Sequence, residues 1–247
     1  MSFISVGVIL ILEGVAMKLG IFTDPHYSSQ DITCGNRYNN QSLRKIQEAY
    51  DCFTKENCDL VVCLGDLTDT EDTHEKELEN LKQIAKIIEK APMDTICVMG
   101  NHDAFAYTAE EFYHILSGCK PQNRTLDDVT LVFLDTCFYK DGTHYMPGGG
   151  DWTDTFLPNP AALQNTLDET KNKIYIFLHQ NTDLTVRDDH RLFNAEDVSK
   201  IIERSGKVRT VFQGHYHPGQ TSQHNGVQYI TLPAMCEDEN RYYIFEL

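Results

Sequence analysis

Five short polar blocks interrupt long apolar runs, and each carries groups that can hold a cation or move a proton. They are Asp24 and His26 in DPH, Asp66 and Asp69 in GDLTD, Asn101, His102 and Asp103 in GNHD, the lone His179, and His215 and His217 in GHYH. Taken singly, most have a plain structural explanation. Gly-Asn and Gly-Asp are turn chemistry, Asp69 suits a helix N-cap, and an isolated histidine is ordinarily a satisfied loop or core residue. In GHYH, an extended backbone would point both imidazoles to one side, where they can address one centre. Mixed imidazole, carboxylate and amide donors suit Mn, Fe or Zn better than a purely oxygen-liganded Mg or Ca site. Seven such donors are too many for one ion and fit two that share a carboxylate.

These blocks need a scaffold that brings them together, and the text around them supplies one. Runs of strand length occur at 18–24, 59–66, 95–101, 129–135, 173–179, 208–215, 227–232 and 241–247, several apolar nearly throughout, as strands covered on both faces are. Between them, 41–57, 74–90 and 195–204 carry apolar residues at helical spacing, such as Leu43, Ile46, Ala49, Tyr50 and Phe53 in the first. Alternating strands and helices predict an α/β fold. Ligands of such folds bind outside the carboxyl ends of the strands, and there all five blocks fall. Five of the ten histidines stand at these ends. The others, His74, His114, His144, His190 and His224, lie in helical or loop text and are expected on the surface.

Composition narrows the function further. At 247 residues and 41% apolar content the chain can bury one sizeable core. A formal charge of −16, from 37 acidic and 21 basic residues, argues against gripping nucleic acid by phosphate neutralisation and fits local collection of cations. No basic stretch interleaved with aromatics appears. Cys34, Cys52, Cys58, Cys63, Cys97, Cys119, Cys137 and Cys236 form no C-x-x-C pair, and several sit in apolar runs. That pattern excludes a zinc-finger or disulfide framework and points to a reducing, cytoplasmic compartment. Residues 1–16 are apolar over roughly the length of a signal-peptide core, yet lack a basic start and are interrupted by Glu13. They are also shorter than the roughly 20 apolar residues a membrane span requires. The preferred reading starts the chain's domain, 17–247, at Met17; the alternative is an exported protein with a signal in 1–16. Residues 138–160, rich in Gly, Pro, Asp and Thr, read as a long functional or mobile connection, and Gly148 to Gly150 favour mobility.

In this order and at these positions, D-x-H, G-D-x-x-D, G-N-H-D, the lone His179 and G-H-x-H resemble the calcineurin-like metallophosphoesterase superfamily over Asp24 to His217. The resemblance implies a four-layer α/β/β/α sandwich with two facing mixed sheets and a dinuclear metal centre at the strand carboxyl ends. It implies Asp24, His26, Asp66 and His217 on one metal, with Asp66 bridging to a second held by Asn101, His179 and His215. His102 is then the histidine facing the phosphate, with Asp103 and Asp69 supporting it, so His102 and Asp103 are the catalytic pair. Asn101, His102 and Arg37 are the expected substrate contacts, although Arg37 and Tyr38 also read as a solvated loop. Gln180 and Asn181 depart from the frequent His-His or His-Pro after the lone histidine.

Within the superfamily the chain is most similar to small bacterial phosphodiesterases, of the class III cyclic-nucleotide type and the manganese-dependent ADP-ribose and CDP-alcohol diphosphatase type. The segments GNRYNNQSLRKIQEA and QYITLPAMCEDENRYYIFEL resemble the Arg-Tyr-x-x-x-Ser segment and the terminal Ala-Met strand of the latter group. The expected activity is hydrolysis of a small phosphodiester or nucleotide, with hydroxide formed between two divalent ions (Mn, Fe or Zn) attacking phosphorus in line. Alternatives are a phosphomonoesterase or protein phosphatase of the same fold, and, remotely, a non-catalytic metal-binding scaffold, against which the presence of His102 counts. No nucleic acid partner and no membrane span are expected.

Overall fold

The apolar runs become strands, each shorter than its run because the last residues turn away from the sheet with the polar groups they carry. The computed structural model describes residues 17–247, so the readings of 1–16 fall outside the described residues. The first half contains β1 (Lys18–Phe22), α1 (Ser42–Lys55), β2 (Leu60–Cys63), α2 (His74–Ile88), β3 (Asp94–Cys97), α3 (Asn101–Ala106) and α4 (Ala109–Ile115). The second contains β4 (Arg124–Leu126), β5 (Val129–Phe133), α5 (Pro160–Glu169), β6 (Lys173–Phe177), α6 (Ala195–Arg204), β7 (Val208–Gln213), β8 (Gln220–His224), β9 (Val227–Thr231) and β10 (Tyr242–Glu246).

Two sheets result, of four strands in the order β10-β1-β2-β3 and six in the order β4-β5-β6-β7-β9-β8. In the first, β1, β2 and β3 run parallel and β10 is antiparallel on the edge. In the second, β5, β6, β7 and β9 run parallel between antiparallel β4 and β8. Both sheets are therefore mixed, as expected. One apolar cluster joins their inner faces: Leu19, Ile21, Val62 and Ile96 from one sheet meet Leu131, Phe177, Phe212 and Ile230 from the other. Phe177 stacks on Phe133 and Phe212 at centroid separations of 5.0 and 5.1 Å, and Phe245 of the opposite sheet meets Phe212 edge-on at 4.8 Å. Outer clusters pack α1, α2 and α4 on the first sheet and α5 and α6 on the second, which completes the four layers.

Several elements differ from the sequence expectation. Strands β4 and β8 are short edge strands of polar text, RTL and QTSQH, without the alternation that marks a half-buried strand. Helix α3 begins inside GNHD, and α4 is announced by a capping box from Thr108 to Glu111. Asp69 caps no helix, since Thr73 accepts from the Lys76 N–H at the start of α2. The Ala-Met segment is no strand but a single tight turn, Met235–Glu237. Among the described residues no helix is long and apolar enough to cross a membrane.

Candidate metal centre

Every parallel strand from β1 to β3, with β6 and β7, delivers its polar block to one place where the two sheets meet. The loops are zipped by backbone bonds, Asp24 N–H to Gly65 C=O (3.0 Å), His26 N–H to Asp66 C=O (2.9 Å) and Gly214 N–H to His179 C=O (2.9 Å). Asp24, His26, Asp66 and His215 all have positive φ, from 46° to 66°. A left-handed backbone at a residue other than glycine costs free energy, and its recurrence at four positions of one site marks geometry held for function. Gly100 makes a related concession, because a Cβ there would overlap the Asp66 carboxylate.

The donors are arranged in a repeated way. Asp24 accepts from the His215 N–H (3.0 Å) and the Thr23 hydroxyl (2.5 Å) on Oδ2, while its buried Oδ1 has no hydrogen-bond partner. Asp66 accepts the His102 N–H on Oδ1 at 2.8 Å and turns Oδ2 to His26 Nε2 (3.5 Å) and His179 Nε2 (3.2 Å). His179 donates from Nδ1 to the Leu64 carbonyl at 2.8 Å, and His217 Nδ1 lies 2.6 Å from Glu237 Oε1. Both rings thus present Nε2 inward, as metal-ligating histidines do when the other nitrogen is tied. His26 and His217 bring their Nε2 atoms to 3.2 Å, Asn101 Oδ1 lies 3.2 Å from His179 Nε2, and His215 Nε2 is buried without a partner.

Such spacing fits donors sharing cations through bonds of about 2.0–2.2 Å. Asp66, His179 and His215 have ligand atoms within 4.8 Å of one another; so do His26, Asp66 and His102, and His26, His217 and Cys236. Asp66 belongs to two of these groups, which suits a shared carboxylate. Unpartnered buried oxygen and nitrogen atoms are costly unless something charged meets them, so the residues present fit a metal centre.

The electrostatics agree. Burial raises the Asp24 carboxyl pKa, but His179 and the neighbouring imidazoles outweigh it and hold the group well below its ordinary range. Asp66 is lowered in the same way against its burial, chiefly by His179 and His102. Burial lowers His179, yet Asp66 and Asp24 push it up to about 9. His26 falls to about 4, through burial and then His102. The centre is a set of anionic carboxylates among imidazoles that compete for protons, a donor set suited to a cation.

All seven expected ligands meet at this point, and His102 stands beside them, its ring edge-on to His26 at 4.5 Å. Asp103 does not support the imidazole. Sitting in the first turn of α3, it reaches back to accept from the Leu67, Thr68 and Gly100 N–H groups at 2.9, 3.3 and 3.0 Å, pinning GDLTD to GNHD. It is Asp69 whose Oδ1 lies 3.1 Å from His102 Nδ1. His215 sits in a turn with φ 66°, so GHYH is not extended and its two histidines face different parts of the cluster. Arg37 is no solvated loop residue: its side chain is 19% exposed, with Nη1 3.5 Å from Asp69 Oδ2.

A cleft of about 500 Å³ opens over the cluster, lined by Arg37, His102, His215 and His217, and by three residues the sequence did not single out: Glu237, Trp152 and His190. His190 is not a free surface histidine, for its ring meets Trp152 at 5.0 Å, Tyr216 at 5.1 Å and His215 at 5.3 Å. His144, also expected on the surface, is partly buried against Asp135 at 3.1 Å. Glu237 had a faint signal, an acid just after the Ala-Met segment. Trp152 and His190 belong to no motif and arrive through tertiary folding.

Comparison with known proteins gives a consistent result. The family model described as calcineurin-like phosphoesterase matches residues 17–219. A probable cyclic nucleotide phosphodiesterase of Psychrobacter arcticus is 25% identical over 233 residues, covering 87% of this chain and 78% of the relative. A 3',5'-cyclic adenosine monophosphate phosphodiesterase of Haemophilus influenzae is 23% identical over 240 residues, covering 91% and 78%. In fold, the chain is similar to a dimetal phosphatase from Danio rerio, with a TM-score of 0.76 over 91% of this chain and 89% of that one at 16% identity.

Proposed function

The chain belongs to the calcineurin-like phosphoesterases, and from that premise we propose that it hydrolyses a small nucleotide-type phosphodiester using two divalent ions. Asp24, His26, Asp66 and His217 would hold one ion; Asp66, Asn101, His179 and His215 would hold the other. The observation that carries this reading is the pair of buried, unpartnered atoms, Asp24 Oδ1 and His215 Nε2, in a cluster whose Asp66 carboxylate is common to two donor groups. Mn, Fe and Zn all suit the mixture of imidazole, carboxylate and amide.

Bound divalent ions supply Lewis acidity toward phosphoryl oxygens and lower the pKa of coordinated water. The protein's own groups do the rest. His102 has Nδ1 against Asp69, which leaves Nε2 for the cleft it lines. Burial disfavours its charge, but Asp66 and Asp69 outweigh burial and raise its pKa. At the cleft this imidazole can meet the developing charge on phosphoryl oxygen and deliver a proton to the leaving alkoxide. Arg37, held by Asp69 at the cleft edge, binds a further anionic oxygen of the substrate. Similarity to a probable cyclic nucleotide phosphodiesterase and to a 3',5'-cyclic adenosine monophosphate phosphodiesterase supports a diester over a monoester; ADP-ribose and CDP-alcohols belong to the same chemical range.

Hydrolysis assays with Mn²⁺ on 3',5'-cyclic AMP, ADP-ribose, bis-p-nitrophenyl phosphate and the monoester p-nitrophenyl phosphate test this. Turnover of at least one diester above the monoester, abolished by EDTA and restored by Mn²⁺, is expected. Monoester turnover exceeding every diester would overturn the substrate class.

A further inference from the structure

A second hollow of about 240 Å³ opens directly off the metal cleft, and the two share Asn101, His102 and Trp152. Its character is different. Where the cleft presents Arg37, Glu237 and imidazoles, the hollow is lined by Phe105, Trp152 and Tyr145, with Thr70, Asp151 and the Gly149–Gly150 backbone. Phe105 and Trp152 are 40% and 44% exposed. Two large aromatic side chains left open in the lining of one small cavity expose apolar surface that a ligand can cover.

The walls are built rather than loose, contrary to the expectation from three consecutive glycines. The Gly148 N–H donates to the Phe105 carbonyl at 2.8 Å, and the Tyr145 hydroxyl donates to the Asp151 carbonyl at 2.9 Å. A Cβ at Gly150 would come within 2.6 Å of the Tyr145 ring, and Gly150 has φ 99°, so glycine is what allows the loop to lie flat against that ring. Phe105 is fixed in turn by its place in α3, four residues after Asn101. The hollow is thus tied to the metal cluster at one end and to an ordered loop at the other.

From this geometry we propose that the hollow lined by Phe105 and Trp152 is the subsite for the planar ring of the substrate, a nucleobase, with the phosphate at the metal cleft and the polar remainder of the substrate toward Arg37. The assignment rests on the phosphodiesterase reading above and adds to it an orientation and two specificity residues. Size limits the occupant, since drug-sized ligands take about 300–1,000 Å³; a smaller space admits one ring system and not a lipid chain or peptide. Chemistry limits it too. Aromatic faces stack bases irrespective of sequence, while the Thr70 hydroxyl and the loop backbone can meet polar ring edges.

Trp152 is the sole tryptophan of the chain, so its emission reports occupancy without turnover. Adenosine, which lacks a phosphate, is titrated into the full-length, Mn²⁺-loaded protein with excitation confined to tryptophan; ribose 5-phosphate, which lacks a base, is the control. Saturable quenching by adenosine is expected, with little from ribose 5-phosphate. Phe105→Ala should weaken adenosine binding about tenfold, the order of one base stack, and Phe105→Tyr should restore it. No quenching by adenosine, equal quenching by ribose 5-phosphate, or a half-saturation unchanged in Phe105→Ala would overturn the subsite. Absence of diester hydrolysis with intact quenching would instead contradict the function on which it rests, so the two failures are distinct.

Discussion

Asp24 and Asp66 divide their oxygens in the same manner, one tied to a backbone N–H and the other turned to the centre. The histidines follow a parallel rule, Nδ1 anchored and Nε2 inward in His179 and His217. A ligand positioned by a second contact loses little freedom on binding a cation, which is why such outer contacts matter to affinity. His102 is different, being anchored by Asp69 but open to the cleft. His102→Ala should therefore lower kcat by about 10²–10⁴-fold, the range for a lost general acid, while metal content stays at the wild-type value. Near-full rates, or metal lost together with rate, would contradict the role. At this scale the sequence was highly legible, because all seven ligand candidates stand within a few residues of a strand end. It failed for Asp103, whose direction is set by the first turn of α3 and not by its neighbour His102. His190 and Trp152 were hidden for another reason, each being a single residue with no spacing to read, and Glu237 had only its place after the Ala-Met segment.

Elements were legible where burial imposes a period and illegible where it does not. Strands β1, β2, β5 and β6 are walled on both faces and read as apolar runs; β4 and β8 lie on edges and carry turn-like text. The connection 138–160 is held by bridges of Phe138 to His144 and Phe156 and by the His144–Asp135 pair. The hydrogen bond to Asp135 raises the His144 pKa above its ordinary 6.5, against a smaller opposing effect of burial. A raised folded value means the pair stabilises fully below pH 6.5 and is lost as pH rises through the raised pKa. Hydrogen exchange of residues 138–152 should accordingly quicken, relative to its intrinsic pH dependence, above pH 6.5 in the wild type and not in His144→Gln. An identical pH response in both chains would show that the pair does not hold the loop.

Across the whole molecule, two sheets share one apolar seam, and the polar centre sits where their parallel strands end. The seam explains why groups as far apart in the chain as Asp24 and His217 meet: His179 donates to the Leu64 carbonyl across it. A net charge of −16 favours cations everywhere, but among the described residues the buried, preorganised donors of mixed type are grouped at the centre. The central claim is that these donors hold two ions joined through Asp66. Titration with Mn²⁺ followed by electron paramagnetic resonance tests it most directly. Saturation at two ions per chain is expected, with the signal of an exchange-coupled pair that is reduced to uncoupled ions in Asp66→Ala. Saturation at one ion, or two ions showing no coupling in the wild type, would contradict it.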